Sequence, residues 1–365
     1  MNRQDESRAL SPARRIDPAD IDVVAPNLKR RLSGVTSSIV QLVPIQAGSI
    51  GIATLGPGLP ATLPHLAWWQ VASLLRRPRS GRPRIWHARR NVEMIAGLAL
   101  RWIAFAPMRL VFTSAAQRHH KTFTKWLIRR MDAVIATSAT SGRFLDVPHT
   151  VVMHGVDLKK FRPASAVDDR FDAAGLPGKY AIGCFGRIRH QKGTDLFVDA
   201  MIALLPHYPD WTAIITGRVT VANQSFARDL QARIDAAGLS DRIRFLGEVP
   251  DVAVWYRRVT LYVAPSRNEG FGLTPLEAMA SGTAVVASDA GAFAELVSPG
   301  VTGDVVPAGN GAALRDAIEP YLRDPVLAEQ HGANGLSFVT RNFPLEREAS
   351  GVMEVYQRVW AEAAD

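Results

Sequence analysis

A single cysteine, Cys184, in a chain of 365 residues excludes an intramolecular disulfide and fits a reducing compartment. Its place in the apolar run from Tyr180 to Phe185 reads as a buried structural thiol. No apolar run reaches the roughly 18 residues that a membrane-spanning helix needs. The polar stretch from Met1 to Asp22 lacks the apolar centre of a secretory leader. These two absences predict a cytoplasmic protein. There is no short-period repeat, which excludes a solenoid. Helix-turn-helix, zinc and aromatic-stacking signatures are missing too, which argues against a nucleic-acid-binding protein despite a pI near 10.0.

What is present is an uneven charge. The net charge of +9 hides two opposite halves. Residues 1–163 hold 25 Lys+Arg against 9 Asp+Glu, a balance of +16. Residues 164–365 hold 18 against 25, a balance of −7. A basic half points to an anionic partner: nucleic acid, anionic lipid headgroups or a phosphorylated glycolipid. A solvated basic face without a specific partner is the plainer alternative.

The length suits two α/β cores rather than one. In the first half, short apolar strands (Ile21 to Ala25, Ile50 to Leu55, Arg84 to Ala88, Leu110 to Thr113, Ala133 to Thr137) alternate with amphipathic stretches such as Val92 to Ile103 and Phe123 to Arg130. Such alternation predicts βαβ units and a parallel sheet. Phe161 to Gly178 breaks the pattern with Pro163, Gly175 and Pro177 and reads as a linker. The alternation then restarts at Tyr180, with Thr194 as N-cap of the next helix. The expected division is a first Rossmann-like domain at 1–165, disordered to about residue 18, a second at 166–345, and a terminal helix at 346–365. Two doubly wound sheets would face each other across a cleft at their carboxyl edges, where such sheets bind ligands.

Two segments carry the chemistry. Between a strand ending at Ala264 and a helix starting near Pro275 lies a loop with Glu269, Gly270, Phe271, Gly272 and Leu273. Glycines feeding a helix start offer free backbone N–H groups to phosphate. Carboxylates such as Glu269 and Glu277 can accept hydrogen bonds from sugar hydroxyls. Thr274-Pro275-Leu276-Glu277 also reads as a capping box, so Glu277 alone is as consistent with a cap as with a ligand. The second segment, Gly186 to Gly193, follows a strand and precedes a helix. Its Arg187 can fork onto a diphosphate and its Lys192 can place a charge there. Its glycine spacing is not that of a Walker A loop. Asp20-Ile21-Asp22 looks like a metal-binding D-x-D but reads better as a strand-edge pair.

Glu269 and Glu277, seven residues apart within Glu-Gly-Phe-Gly-Leu-x-x-Leu-Glu-Ala-Met-Ala-x-Gly, resemble the donor motif of the retaining glycosyltransferases of family 4. Gly186 to Gly193 resembles that family's phosphate loop. Gly155-Val156-Asp157…Phe161-x-Pro163 resembles its domain junction, with His154 where Asn is usual. Gly34 resembles its N-terminal glycine loop. The resemblance runs from about residue 20 to the end and is most specific over 180–300. It implies a GT-B fold with the terminal helix crossing back onto the first domain. By this resemblance Arg187 and Lys192 neutralise the donor diphosphate, Glu277 holds the ribose and Glu269 lies by the transferred sugar. Gly270 to Leu273 offer amides and Gly34 admits the phosphates. It also implies retention of configuration with the leaving diphosphate as base, and no metal or other cofactor. The family's usual histidine after the fourth strand is absent, since Phe112-Thr113-Ser114-Ala115 stands there. His87, His119 and His120 are candidates for its role.

The runs 113–120 and 128–138 further resemble bacterial lipopolysaccharide core mannosyltransferases. That implies GDP-mannose as donor and a glycolipid core acceptor at the inner face of the cytoplasmic membrane. Trp68, Trp69 or Trp102 could then sit at an anionic membrane surface, or simply in the core. Rival readings are a UDP-sugar donor on the same fold, a phosphorylase-like or sucrose-synthase-like enzyme with a soluble acceptor, and, more distantly, nucleic-acid binding.

Overall fold

A computed structural model describes residues 16–30 and 34–363. The expected disorder at residues 1–15 lies outside the described residues. Residues 16–18, placed in the same disordered stretch, are instead ordered. Pro18–Asp20 forms a 3₁₀ turn, and the buried Arg84 guanidinium donates to the carbonyls of Pro18 (2.9 Å), Ile21 (2.7 Å) and Arg76 (2.7 Å). A buried cation without an ion pair must collect acceptors, and the N-terminal backbone supplies two of them.

Strands β1 (Val23–Pro26), β2 (Ile52–Leu55), β3 (His65–Leu66), β4 (Arg84–Ala88), β5 (Met108–Ser114), β6 (Ala133–Ala136) and β7 (Thr150–Val151) form one sheet in the order β3-β2-β1-β4-β5-β6-β7. Strands β8 (Tyr180–Phe185), β9 (Trp211–Thr216), β10 (Ile243–Gly247), β11 (Leu261–Ala264), β12 (Ala284–Ser288) and β13 (Gly303–Val306) form a second, in the order β10-β9-β8-β11-β12-β13. The paired strands run parallel. The order reverses between β1 and β4 and again between β8 and β11, so each sheet has a crevice at its carboxyl edge there.

Helices cover both faces of each sheet, because strands buried on both sides must be. The first sheet packs Leu98 and Leu127 of helices Asn91–Trp102 and Thr122–Ile128 on one face. Its other face takes Ile39 and Val43 of helix Gly34–Gln46, together with Val352, Tyr356 and Trp360 of helix Leu345–Ala361. The chain's last described helix therefore lies on its first sheet. The crossing is fixed where Val156 N–H donates to the Phe343 carbonyl at 2.8 Å.

Two expected caps are not formed. Gly193, in left-handed backbone (φ 70°), precedes helix Thr194–Leu204, and Thr194 makes no cap bond. A Cβ at Gly193 would overlap the Pro265 carbonyl, so only glycine fits the approach of these two loops. Leu273 is already helical (φ −75°, ψ −18°), which starts helix Thr274–Ala280 one residue early and takes Thr274 out of the N-cap position. Among the described residues no helix is long and apolar enough to cross a membrane.

Candidate active site

The loops after β8 and β11 are neighbours because those strands are neighbours, and side chains stitch them together. The Gln191 carbonyl accepts from the Arg267 and Asn268 N–H groups at 2.9 and 3.3 Å. Arg267 forks onto Asp195 at 2.7 and 2.8 Å and reaches the His190 carbonyl at 2.8 Å. On this platform the Lys192 ammonium and the Glu269 carboxylate form a direct ion pair, each largely shielded from solvent. Arg187 is exposed and makes no ion pair with a described residue. It stands on the wall between two hollows. One is narrow and includes Lys192, Thr194, Ser266 and Thr274. The other, of about 610 Å³, lies between the domains and is lined by Arg30, Arg187, Arg218, Glu248 and Val252. Three guanidinium groups and a charged ammonium thus converge on the second sheet's carboxyl edge, a distribution suited to a polyanion.

Glu277 is partly buried, and the buried Tyr256 hydroxyl donates to its Oε2 at 2.9 Å. Burial pushes its carboxyl pKa up, against the opposing pull of Tyr256. The side chain is therefore held by a tyrosine and not by a capping box, and among the described residues its other oxygen accepts no hydrogen bond. Gly272 sits in left-handed backbone (φ 84°), with Glu269 and Phe293 closing the space a side chain would need. Phe271 is buried, and the His154 ring meets it edge-on at 4.9 Å. His154 in turn bonds Glu348 at 2.6 Å, and the second oxygen of Glu348 accepts from Gly155 N–H at 2.8 Å. The junction histidine thus connects the glycine loop to the crossing helix. A Cβ on Gly270 would lie 3.4 Å from the Ala115 carbonyl, so the loop after β5 faces the glycine loop across the cleft.

The candidate histidines separate. His87 is buried and engaged at both ring nitrogens, by the Tyr356 hydroxyl at 2.6 Å and the Thr113 hydroxyl at 2.7 Å. Burial, then Arg89, push its pKa well below the usual value, so it is a neutral ring in the first domain's frame. His120 lies 3.2 Å from the Ser114 hydroxyl and lines a small hollow of the first domain with Ile128 and Phe144. His119 is exposed and packs edge-on against Phe144 at 5.3 Å. The residue facing the glycine loop is Ala115, which brings no titratable group. Gly34 is the first residue of its helix, and residues 31–33 before it lie outside the described residues. Arg30, just upstream, reaches the cleft.

Asp20 and Asp22 are spent on the strand edge, Asp20 with Arg79 at 2.5 Å and Asp22 with the Ser80 hydroxyl at 2.5 Å. Cys184 is buried and its thiol is pushed up to about 12 by burial, so it is inert. Sequence reasoning missed Tyr256, Arg30 and Glu295. The Glu295 carboxylate crosses the cleft to accept from Ala139 and Thr140 N–H at 2.9 and 2.8 Å. Of these only Arg30, in the basic run Lys29-Arg30-Arg31 ahead of Gly34, left a readable signal.

Residues 168–338 match the family model of the glycosyl transferases group 1. The chain is 64% identical over 341 residues to the lipopolysaccharide core biosynthesis mannosyltransferase LpcC of Rhizobium leguminosarum bv. viciae, covering 93% of this chain and 97% of that one. It is 52% identical to the corresponding LpsB of Rhizobium meliloti, covering 94% and 99%. Among solved structures, Anabaena Alr3699/HepE in complex with UDP and glucose superposes with a TM-score of 0.78 at 19% identity, over 93% of this chain and all of that one. The two facing Rossmann-like sheets are the GT-B fold, and the chain is an enzyme that belongs to the group 1 glycosyl transferases.

Proposed function

We propose that this enzyme transfers mannose from GDP-mannose, with retention of configuration, to a lipopolysaccharide core acceptor at the cytoplasmic membrane face. The observation that carries the reading is the Lys192–Glu269 pair beside Arg187, on the sheet edge of a chain 64% identical to a protein named as a lipopolysaccharide core biosynthesis mannosyltransferase. In this reading the donor diphosphate lies against Arg187 and Lys192, and the free oxygen of Glu277 accepts from the ribose hydroxyls. Glu269 faces the mannose, and the amides of Gly270 to Leu273 complete the cradle. The bond from the anomeric carbon to the diphosphate breaks with its electron pair going to the diphosphate. Arg187 and Lys192 stabilise that charge where it develops. The acceptor oxygen bonds to the same face of the anomeric carbon, and its proton passes to the departing diphosphate oxygen. No metal is assigned a role. A panel of GDP-, UDP- and ADP-sugars tests the donor by thermal shift and hydrolysis. GDP-mannose should give the largest rise in Tm and the fastest hydrolysis, with a product of the donor's anomeric configuration. A larger effect from a UDP-sugar would replace mannose, and an inverted product would replace the mechanism.

A further inference from the structure

The glycine loop is held from outside its own domain. Glu269 to Leu273 forms no helix or strand, and Gly270 and Gly272 flank Phe271 within it. Backbone flanked by glycines has little stiffness of its own, so the seat of the Phe271 ring decides where the loop's amides lie. That ring is buried in the second domain's core with Leu276 and Phe293. Against it stands the His154 ring, edge-on at 4.9 Å, an arrangement that aromatic pairs favour.

What aims His154 belongs to the packing of the first domain. The buried Glu348 carboxylate is used at both oxygens: His154 Nδ1 donates to Oε1 at 2.6 Å and the Gly155 N–H to Oε2 at 2.8 Å. A carboxylate only accepts, so this bond fixes a proton on Nδ1 and with it the setting of the ring. Glu348 sits on helix Leu345–Ala361, whose Val352, Tyr356 and Trp360 pack on the first sheet. Gly155 lies so close to the start of that helix that a Cβ would meet the Pro344 carbonyl oxygen at 2.7 Å and the Leu345 backbone at 2.8 Å. Burial pushes the pKa of the Arg89 guanidinium down while Tyr356, Glu93 and Glu348 oppose it, so Glu348 also faces a cation of the first domain. Neither His154 nor Glu348 lines the two hollows that Arg187 separates. Their route to those hollows is Phe271.

We propose that His154 is a positioning residue for donor binding: aimed by Glu348, its ring seats Phe271 and so sets the amides of Gly270 to Leu273. The proposal rests on the reading in which those amides cradle the donor. Titration calorimetry of the full chain with GDP-mannose and with UDP-glucose tests it, beside hydrolysis kinetics with the better-bound of the two. His154→Asn keeps a side-chain N–H where Nδ1 stood and removes the ring. It should melt near wild type yet bind donor about fivefold more weakly, with KM raised by about the same factor. A structural loss alone would lower the active fraction, and so the apparent kcat, and leave KM in place. Glu348→Gln preserves both hydrogen bonds, since its amide oxygen accepts from Gly155 and its NH₂ donates to the other tautomer of His154. It should bind donor as wild type does. Glu348→Ala drops both bonds and should bind as weakly as His154→Asn. The two together should lose no more than either alone, because Glu348 acts through His154. If Glu348→Ala does not fold, His154→Asn decides alone. Wild-type affinity in His154→Asn, a fall in its kcat at unchanged KM, or additive losses in the double variant would each overturn the proposal. Wild type that binds neither nucleotide sugar would instead sink the donor reading, and the positioning role with it.

Discussion

Lys192 and Glu269 hold one another across two loops that are 77 residues apart in sequence. Each of two neighbouring strands delivers one partner, so the pair exists only when β8 and β11 are adjacent. Without donor, each charge is compensated by the other. In the proposed function, a bound diphosphate would compete for Lys192 and turn Glu269 toward the sugar. Lys192→Ala and Glu269→Ala should each lower kcat/KM at least about 100-fold with the fold intact by circular dichroism. The double variant should lose about the sum of the two free-energy losses, because with donor bound the two act on different groups, Lys192 on the diphosphate and Glu269 on the sugar. Steady-state kinetics on the three variants check this. A double variant no worse than either single one would mean that the two act as a unit.

Tyr256 is the support that Glu277 rests on. Tyr256→Phe should leave the carboxylate in place but less firmly oriented, raising KM for the donor with a small change in Tm. Glu277→Ala strands a buried hydroxyl and should cost on the order of 1–3 kcal/mol, read by chemical denaturation. A loss of activity with no loss of stability would show that the hydroxyl finds another partner.

The two domains share the Glu295 carboxylate, which accepts two backbone N–H groups of the first domain. Hydrogen bonds to a charged group are worth about 1.5–3 kcal/mol each, so Glu295→Ala should open the cleft. The expected outcome is a larger radius of gyration by solution X-ray scattering and a KM for the donor raised about tenfold. An unchanged radius would assign interdomain cohesion to the crossing helix alone.

Asp169 ties the linker to the second domain and gives stability a dependence on pH. The Ser165 backbone N–H and the Arg257 guanidinium hold its carboxyl down at about 2. An unfolded aspartate ionises near about 3.9. The folded pKa is the lower one, so the contribution is present above about pH 4 and is lost as pH falls through about 2. Asp169→Asn should lose about 2 kcal/mol at pH 7, with the gap to wild type closing near pH 2. A gap independent of pH would contradict this.

Much of the fold was legible because the second domain obeys simple periodicity. The run Tyr180–Phe185 has the same bounds in the reading and in the structure, and the strand Leu261–Ala264 ends at the expected Ala264. The helix Gly34–Gln46 was not legible. It lies between the first sheet and the crossing helix, so it has no clear polar face, and it contains Pro44. The helix Pro325–Asn342 was hidden by Gly332 and Gly335. These glycines are there for packing: a Cβ at Gly332 would overlap the Gly282 carbonyl, and one at Gly335 would crowd the Met279 side chain. The motif residues of the site were visible because they cluster in two short loops. Their supports were not, because Tyr256, Glu295 and Glu348 reach their partners across 21, 155 and 193 residues or more. The exposed cluster of aromatic rings on the first domain was half legible. Trp102 was named from sequence, but Trp126 and Phe123 join it only through helix packing.

Transfer of radiolabelled mannose from GDP-mannose to a lipid A–core acceptor lacking that residue is the most direct test of a mannosyl donor held by Arg187, Lys192 and Glu269. Wild type should label the acceptor, UDP-glucose and UDP-galactose should not, and Glu269→Ala should abolish the label. Labelling from a UDP-sugar at an equal or higher rate, or undiminished labelling by Glu269→Ala, would contradict it.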